Sequence, residues 1–182
     1  MDFYNVINNR CSIRLYKGNT IPTEKIDRIL EAAMKAPSWK NKTSYKVIVV
    51  DDSSIKHKLS EAIINNDDKA KNAIQMAPIT VVIVGNKDLS GVVEGKEYYL
   101  VDGAIAMEHL ILAATEEGLG TCWIAAMSEE IIKRVLAIPE EFNVIGMTPL
   151  GIPDEPISHY EEKSIDEYIY KNQWSKSYKK NK

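Results

Sequence analysis

Arg10, Ser12 and Arg14 alternate within "NRCSIR", the stretch whose side chains could do chemistry most directly. In an extended backbone alternate side chains share a side, so these three would project together while Cys11 and Ile13 point the other way. Two permanent guanidinium charges and a hydroxyl donor suit a phosphate monoester, because planar N–H forks match phosphate oxygens. The same alternation describes a solvated strand edge, and spacing alone leaves both readings open. Three further stretches set small or polar residues where a flat ligand could be approached. "APSWKN" places Ser38 and Asn41 beside Trp39, "GLGTCWIAAM" offers Gly120, Ala125 and Ala126, and "PLGIP" puts Gly151 at the end of an apolar run.

Other chemistries lack their signatures. The glycines of "GLG" follow a helical pattern instead of opening one, so a dinucleotide fingerprint is absent, and neither a P-loop nor a G-x-S-x-G elbow occurs. The two cysteines, Cys11 and Cys122, have no metal-site or disulfide spacing, and His57, His109 and His159 are scattered, so no metal site is expected. Both cysteines read as small buried residues, Cys122 because no activating cation stands beside it in sequence. His109 reads as a hydrogen-bonded interface residue, with Glu108 either its partner or facing solvent.

The chain has 182 residues, 23 basic and 26 acidic, for a net charge of −3. That near balance argues against nucleic-acid binding, which calls for a basic domain or stripe. No apolar run reaches the ~20 residues of a membrane span, and the first residues lack a secretory layout, so a cytoplasmic protein is expected.

The elements that must position these residues follow from periodicity. "MDFYNVINN" predicts a short helix. "TEKIDRILEAAMKA" predicts a second with one apolar stripe, Pro22 in its first turn and Pro37 ending it. "YKVIVVDD" and "APITVVIVGNK" predict strands, the second apolar on both faces and therefore central. Between them "SSIKHKLSEAII" predicts a helix capped by Ser53, and "NNDDKAKNAIQMA" an exposed one. "YLVDGAIAMEHLILAATEEG" is apolar nearly all round, which predicts a helix buried in the core or an interface, with Gly118 closing it. "TCWIAAM" reads as a short strand, "SEEIIKRVLAI" as an amphipathic helix and "NVIGMTPLGIP" as a third main strand. The segment from residue 156 onward is rich in aromatic and poor in aliphatic residues, so it cannot build a core alone. Its end, "YKKNK", reads as a frayed tail.

In this order "RCSIR", "APSWKNKTSY", "GLGTCWI" and "PLGIP" resemble the nitroreductase family of FMN-dependent NAD(P)H oxidoreductases, whose patterns are R-[RC]-S-[IV]-R, A-P-S-x-x-N-x-Q-P-W, G-L-G-[ST]-C-W-I and P-L-G-[YI]-P. The resemblance runs from residue 3 to residue 174. It implies an α+β fold with a central, mainly antiparallel sheet flanked by helices, and an intertwined homodimer. Residues 1–182 would form one domain, with 156–182 as an arm packing on the partner subunit and the apolar helix crossing the two-fold axis. It further implies two FMN sites at the interface.

Carried over by position, Arg10, Ser12 and Arg14, with Cys11 between them, would hold the FMN phosphate, and Lys163 would complete that site. Asn41 would meet the flavin's pyrimidine edge, and Pro37, Ser38 and Trp39 would wall the ring from the partner subunit. Ile124 and Ala125 would approach the ring's central nitrogen through backbone. Trp123 and Trp39 would either border the ring or serve as core or interface aromatics. Thr43 and Ser44 depart from the usual Gln-Pro, and Ala125 stands where many relatives carry glycine. "NKDLSGVVEGKEYY" is short, which implies an open substrate site. The implied activity is ping-pong hydride transfer from NAD(P)H to nitroaromatic, quinone or similar planar acceptors, with no catalytic side chain required because the flavin carries the chemistry. The alternatives on the same fold are reductive dehalogenation, flavin degradation and non-catalytic flavin sensing. An anion-binding module without flavin is a further one.

Overall fold

"ITVVIVGN" is apolar on both faces and needs a hydrophobic layer on each side. The computed structural model describes residues 2–65, 68–158 and 163–178. In chain order its elements are α1 (Phe3–Asn9), β1 (Tyr16–Lys17), α2 (Thr23–Met34), β2 (Tyr45–Val50), α3 (Ser53–Glu61), α4 (Lys69–Met76), β3 (Ile79–Asn86), the hairpin β4 (Val92–Val93) and β5 (Lys96–Glu97), α5 (Tyr98–Glu116), β6 (Gly120–Thr121), α6 (Glu129–Leu136), β7 (Phe142–Pro153) and α7 (Ile165–Tyr168). The main sheet runs β1-β7-β3-β2, with β6 also on β7, and its ladders are antiparallel. β3 is buried along its whole length between β2 and β7.

Side-chain alternation along β3 separates two cores. Ile79, Val81 and Ile83 face Ile29 and Ala33 of α2 and Met107, Leu110 and Ala114 of α5. Val82 and Val84 face Leu59 of α3, Ile74 of α4 and Ile132 of α6. The result is the expected sheet flanked by helices on both sides. The β3–β7 register shifts between Ile83 and Val84, where Gly146 and Val144 are the partners and Ile145 is the extra residue.

Several local expectations need adjustment. α3 is capped by Asp52, not Ser53, since the Asp52 carboxylate accepts the Ile55 N–H at 2.8 Å. α4 is not exposed all round: Ala70, Ala73 and Ile74 are buried. Pro22 stands at the cap position of α2, just ahead of its first turn. Gly118 ends α5 as expected, at φ +75°, with its own N–H on Thr115 O and the Leu119 N–H on Ala114 O. α5 itself is core on one face, while Leu100 and Val101 near its start are exposed. Of the expected frayed tail at 178–182, Tyr178 is exposed and the rest lies outside the described residues.

Candidate functional site

Helix α1 ends at Arg10, whose backbone turns extended (φ −63°, ψ 119°) and carries the chain out as a strand. Ser12 then bridges Thr121 in parallel, and the Ile13 N–H donates to Thr121 O at 2.8 Å. This pairing fixes the alternation anticipated from sequence. Ile13 is buried against Gly120. Arg10, Ser12 and Arg14 line one cavity of about 200 Å³ together with Cys11, Glu155, Pro156 and Ser158. Among the described residues neither arginine is ion-paired with a carboxylate. Cys11, expected to point away, borders this cavity and also the apolar cleft behind it, lined by Ile13, Leu119 and Ile157.

Lys163 is not among the described residues lining the cavity. It is exposed, with its ammonium 5.7 Å from the ring centre of Tyr168.

Behind Ser12 lies Cys122, buried, its N–H donating to Thr148 Oγ1 at 3.0 Å. Burial pushes its thiol above the usual range, and Arg14, a Ser12 hydrogen bond and Arg10 pull the other way. Cys122 is thus the small buried residue expected: the two arginines bear on it, but desolvation prevails and leaves the thiol protonated. Tyr16, whose hydroxyl donates to Ile13 O, is likewise pushed up by burial.

From Cys122 the chain continues along β7. The N–H and C=O of Ile124 are both bonded to Met147, at 2.8 and 3.0 Å, and its side chain is core. Backbone approach by a ligand is thereby narrowed to Ala125, which is exposed and whose N–H has no partner among the described residues. Trp123 is 37% exposed and lies over Gly146, where an added Cβ would stand 2.7 Å from its Nε1.

Pro37, Ser38, Trp39 and Asn41 form a separate loop, none of whose residues lines the arginine cavity. Lys40, Asn41 and Thr43 adopt positive φ (49°, 56° and 49°), so the loop depends on side-chain support. Asp102 of α5 gives it: buried at 2% exposure, it accepts the Trp39 N–H at 2.7 Å, the Ser44 hydroxyl at 2.6 Å and the Ser90 hydroxyl at 3.2 Å. Ser38 Oγ accepts the Thr43 N–H at 2.8 Å. The Ser44 departure from the family pattern thus has a physical role, since a proline there could donate nothing to Asp102. Trp39 stacks on Tyr98 at 4.1 Å and is seated on Gly91, where an added Cβ would stand 2.5 Å from the indole. His109 Nδ1 is 3.2 Å from Ala32 O, and Glu108 is exposed. Sequence reasoning missed Asp102 and Glu155. An acid set among the apolar residues of the first half of α5 was a usable signal for the first, and nothing marked the second.

The Nitroreductase family profile matches residues 7–152. An Archaeoglobus fulgidus protein provisionally named NADH dehydrogenase/NAD(P)H nitroreductase is 30% identical over 93% of this chain and 97% of its own. Rat iodotyrosine deiodinase 1 is 24% identical over 92% of this chain and 68% of its own. Among solved structures, a nitroreductase family protein from Clostridium novyi NT superimposes with a TM-score of 0.83 at 47% identity, covering 98% of this chain and 97% of that one. An FMN-dependent nitroreductase from Clostridium difficile R20291 does so at 0.82 and 28%, covering 94% and 100%. With the motifs, the antiparallel sheet between two helical layers and these matches in agreement, the chain belongs to the nitroreductase family.

Proposed function

We propose that this protein is an FMN-dependent oxidoreductase that takes hydride from NAD(P)H and delivers it to nitroaromatic, quinone or similar planar acceptors, working as a cytoplasmic homodimer. The observation that carries this reading is the cavity where Arg10, Ser12 and Arg14 converge, with neither arginine ion-paired among the described residues. A phosphate monoester fits that donor set: two fixed cations neutralise a dianion, and Ser12 adds a neutral donor. Bound FMN would supply the redox chemistry, relaying hydride between donor and acceptor. The chain's own residues bind and orient. Arg10, Ser12 and Arg14 would hold the phosphate, and the open N–H of Ala125 would be available to the ring. The loop of Pro37, Ser38, Trp39 and Asn41, braced by Asp102, serves the ring bound by a second subunit. Lys163 stands as a further cation for the phosphate once the arm is seated on that subunit.

The segment between β3 and α5 holds a single helical turn (Lys87–Leu89) and the β4–β5 hairpin, whose Val92 and Val93 are exposed. With no longer helix inserted there, the site is read as open and shared, which favours ping-pong kinetics and loose specificity. The iodotyrosine deiodinase relatives keep reductive dehalogenation as the second reading. The test is a visible spectrum of protein equilibrated with FMN, then anaerobic NADH or NADPH, then menadione or nitrofurazone. Flavin absorbance that bleaches with donor and returns with acceptor supports the proposal. Protein that stays colourless refutes it, and flavin that no donor reduces leaves only a flavin-binding role. Acceptance of iodotyrosine over quinones would favour the second reading.

A further inference from the structure

The arginine cavity also contains a carboxylate of the chain's own. Glu155 lies just beyond β7, and its Oε1 accepts the backbone N–H of Arg14 and that of Leu15, the latter at 3.0 Å. The two stretches are held side by side: Tyr16 pairs with Pro153, and the Asp154 N–H donates to Leu15 O at 2.9 Å. Consecutive backbone N–H groups of this kind are anion ligands in their own right. Here they are already taken by an internal anion. The field of Glu155 reaches the same groups as that of Arg14, with opposite sign, raising the Tyr16 phenol and Cys122 thiol that Arg14 lowers.

We propose that Glu155 is a built-in phosphate surrogate: it positions the Arg14 segment, and by its charge it limits how tightly an incoming phosphate monoester is held, so that flavin is exchangeable. This rests on the reading of the cavity as the FMN phosphate site. Without a counter-charge, two guanidiniums in one cavity repel each other, and Glu155 offsets part of that when no ligand is bound. When a phosphate dianion enters, the same carboxylate becomes a like-charged neighbour. The cost falls on the phosphate end alone, so riboflavin, which has the ring and no phosphate, should not feel it.

Glu155→Gln keeps an oxygen that can accept the two N–H groups and removes the charge, whereas Glu155→Ala removes both. The apo forms of wild type and both variants are titrated with FMN and with riboflavin, followed by quenching of flavin fluorescence. The expected result is FMN binding tighter on the order of fivefold in Glu155→Gln, with slower FMN release, and riboflavin affinity unchanged. Glu155→Ala should fall short of Glu155→Gln because the Arg14 segment loses its anchor. An unchanged or weaker FMN affinity in Glu155→Gln, or an equal shift for both flavins, overturns the proposal. If the wild type prefers FMN to riboflavin but Glu155→Gln does not sharpen that preference, this inference alone fails. If the wild type shows no preference, the phosphate-site reading fails with it.

Discussion

Cys122 stands within reach of both arginines and the Ser12 hydroxyl, yet it is buried, and burial decides its state. A thiol is reactive as thiolate, and desolvation disfavours the charged form. Iodoacetamide should therefore leave Cys122 unmodified in the native protein at pH 7–8 and label it readily in urea, as read by mass spectrometry. Because its pKa is raised, native labelling should climb only above the pH range of an ordinary exposed thiol. Rapid native labelling at neutral pH would show that Arg14 outweighs burial. Period-two spacing made Arg10, Ser12 and Arg14 legible as a group, because alternation in an extended segment is a local property of the chain. Glu155 was illegible for the opposite reason, since it meets Leu15 across 140 residues of sequence and sits in a loop with no period to read.

At the scale of elements, the loop from Trp39 to Thr43 depends on α5 through Asp102. Asp102→Ala strips the acceptor from one backbone N–H and two hydroxyls, and should cost about 2–4 kcal/mol in urea unfolding, with Asp102→Asn milder. A loss under about 0.5 kcal/mol would mean that the loop stands without it. Gly103 lies on the same helix, and a Cβ there would come within 2.2 Å of Ile145 Cδ1, the side chain of the bulged residue. Gly103→Ala should destabilise by about 1–3 kcal/mol through overpacking, seen as a lower Tm. The long strands and amphipathic helices were readable because each repeats its pattern over several residues. β1, β6 and the β4–β5 pair have two residues each, too few to show a period, and only tertiary pairing creates them. The same limit displaced the α3 cap by one residue, since adjacent Asp52 and Ser53 are both good caps.

For the whole molecule, the exposed apolar surface is informative. Phe3 and Tyr4 of α1, Leu100 and Val101 of α5, and Tyr168, Trp174 and Tyr178 of the C-terminal segment are open to solvent, Trp174 to 84%. Tyr170 and Trp174 pack on each other at 4.9 Å, and Trp174 is otherwise exposed, as fits a segment lacking its own core. Composition made that segment's dependence legible, whereas the strand order and the surface it would cover were not, because a single chain's pattern does not encode its neighbours. Sedimentation should give a dimer for the full chain, and removal of residues 156–182 should yield monomer or aggregate. An intact, flavin-loaded dimer after that truncation would contradict the arm's proposed role. The flavin phosphate assignment is tested most directly by the affinities of FMN and riboflavin for the wild type and for Arg10→Ala/Arg14→Ala. The expected result is a wild-type preference for FMN that disappears in the double variant, with FMN affinity reduced at least about tenfold and circular dichroism unchanged, since charge-assisted contacts to phosphate contribute ~1.5–3 kcal/mol each. Equal FMN affinity in the two proteins would contradict the assignment of the arginine cavity as the flavin phosphate site.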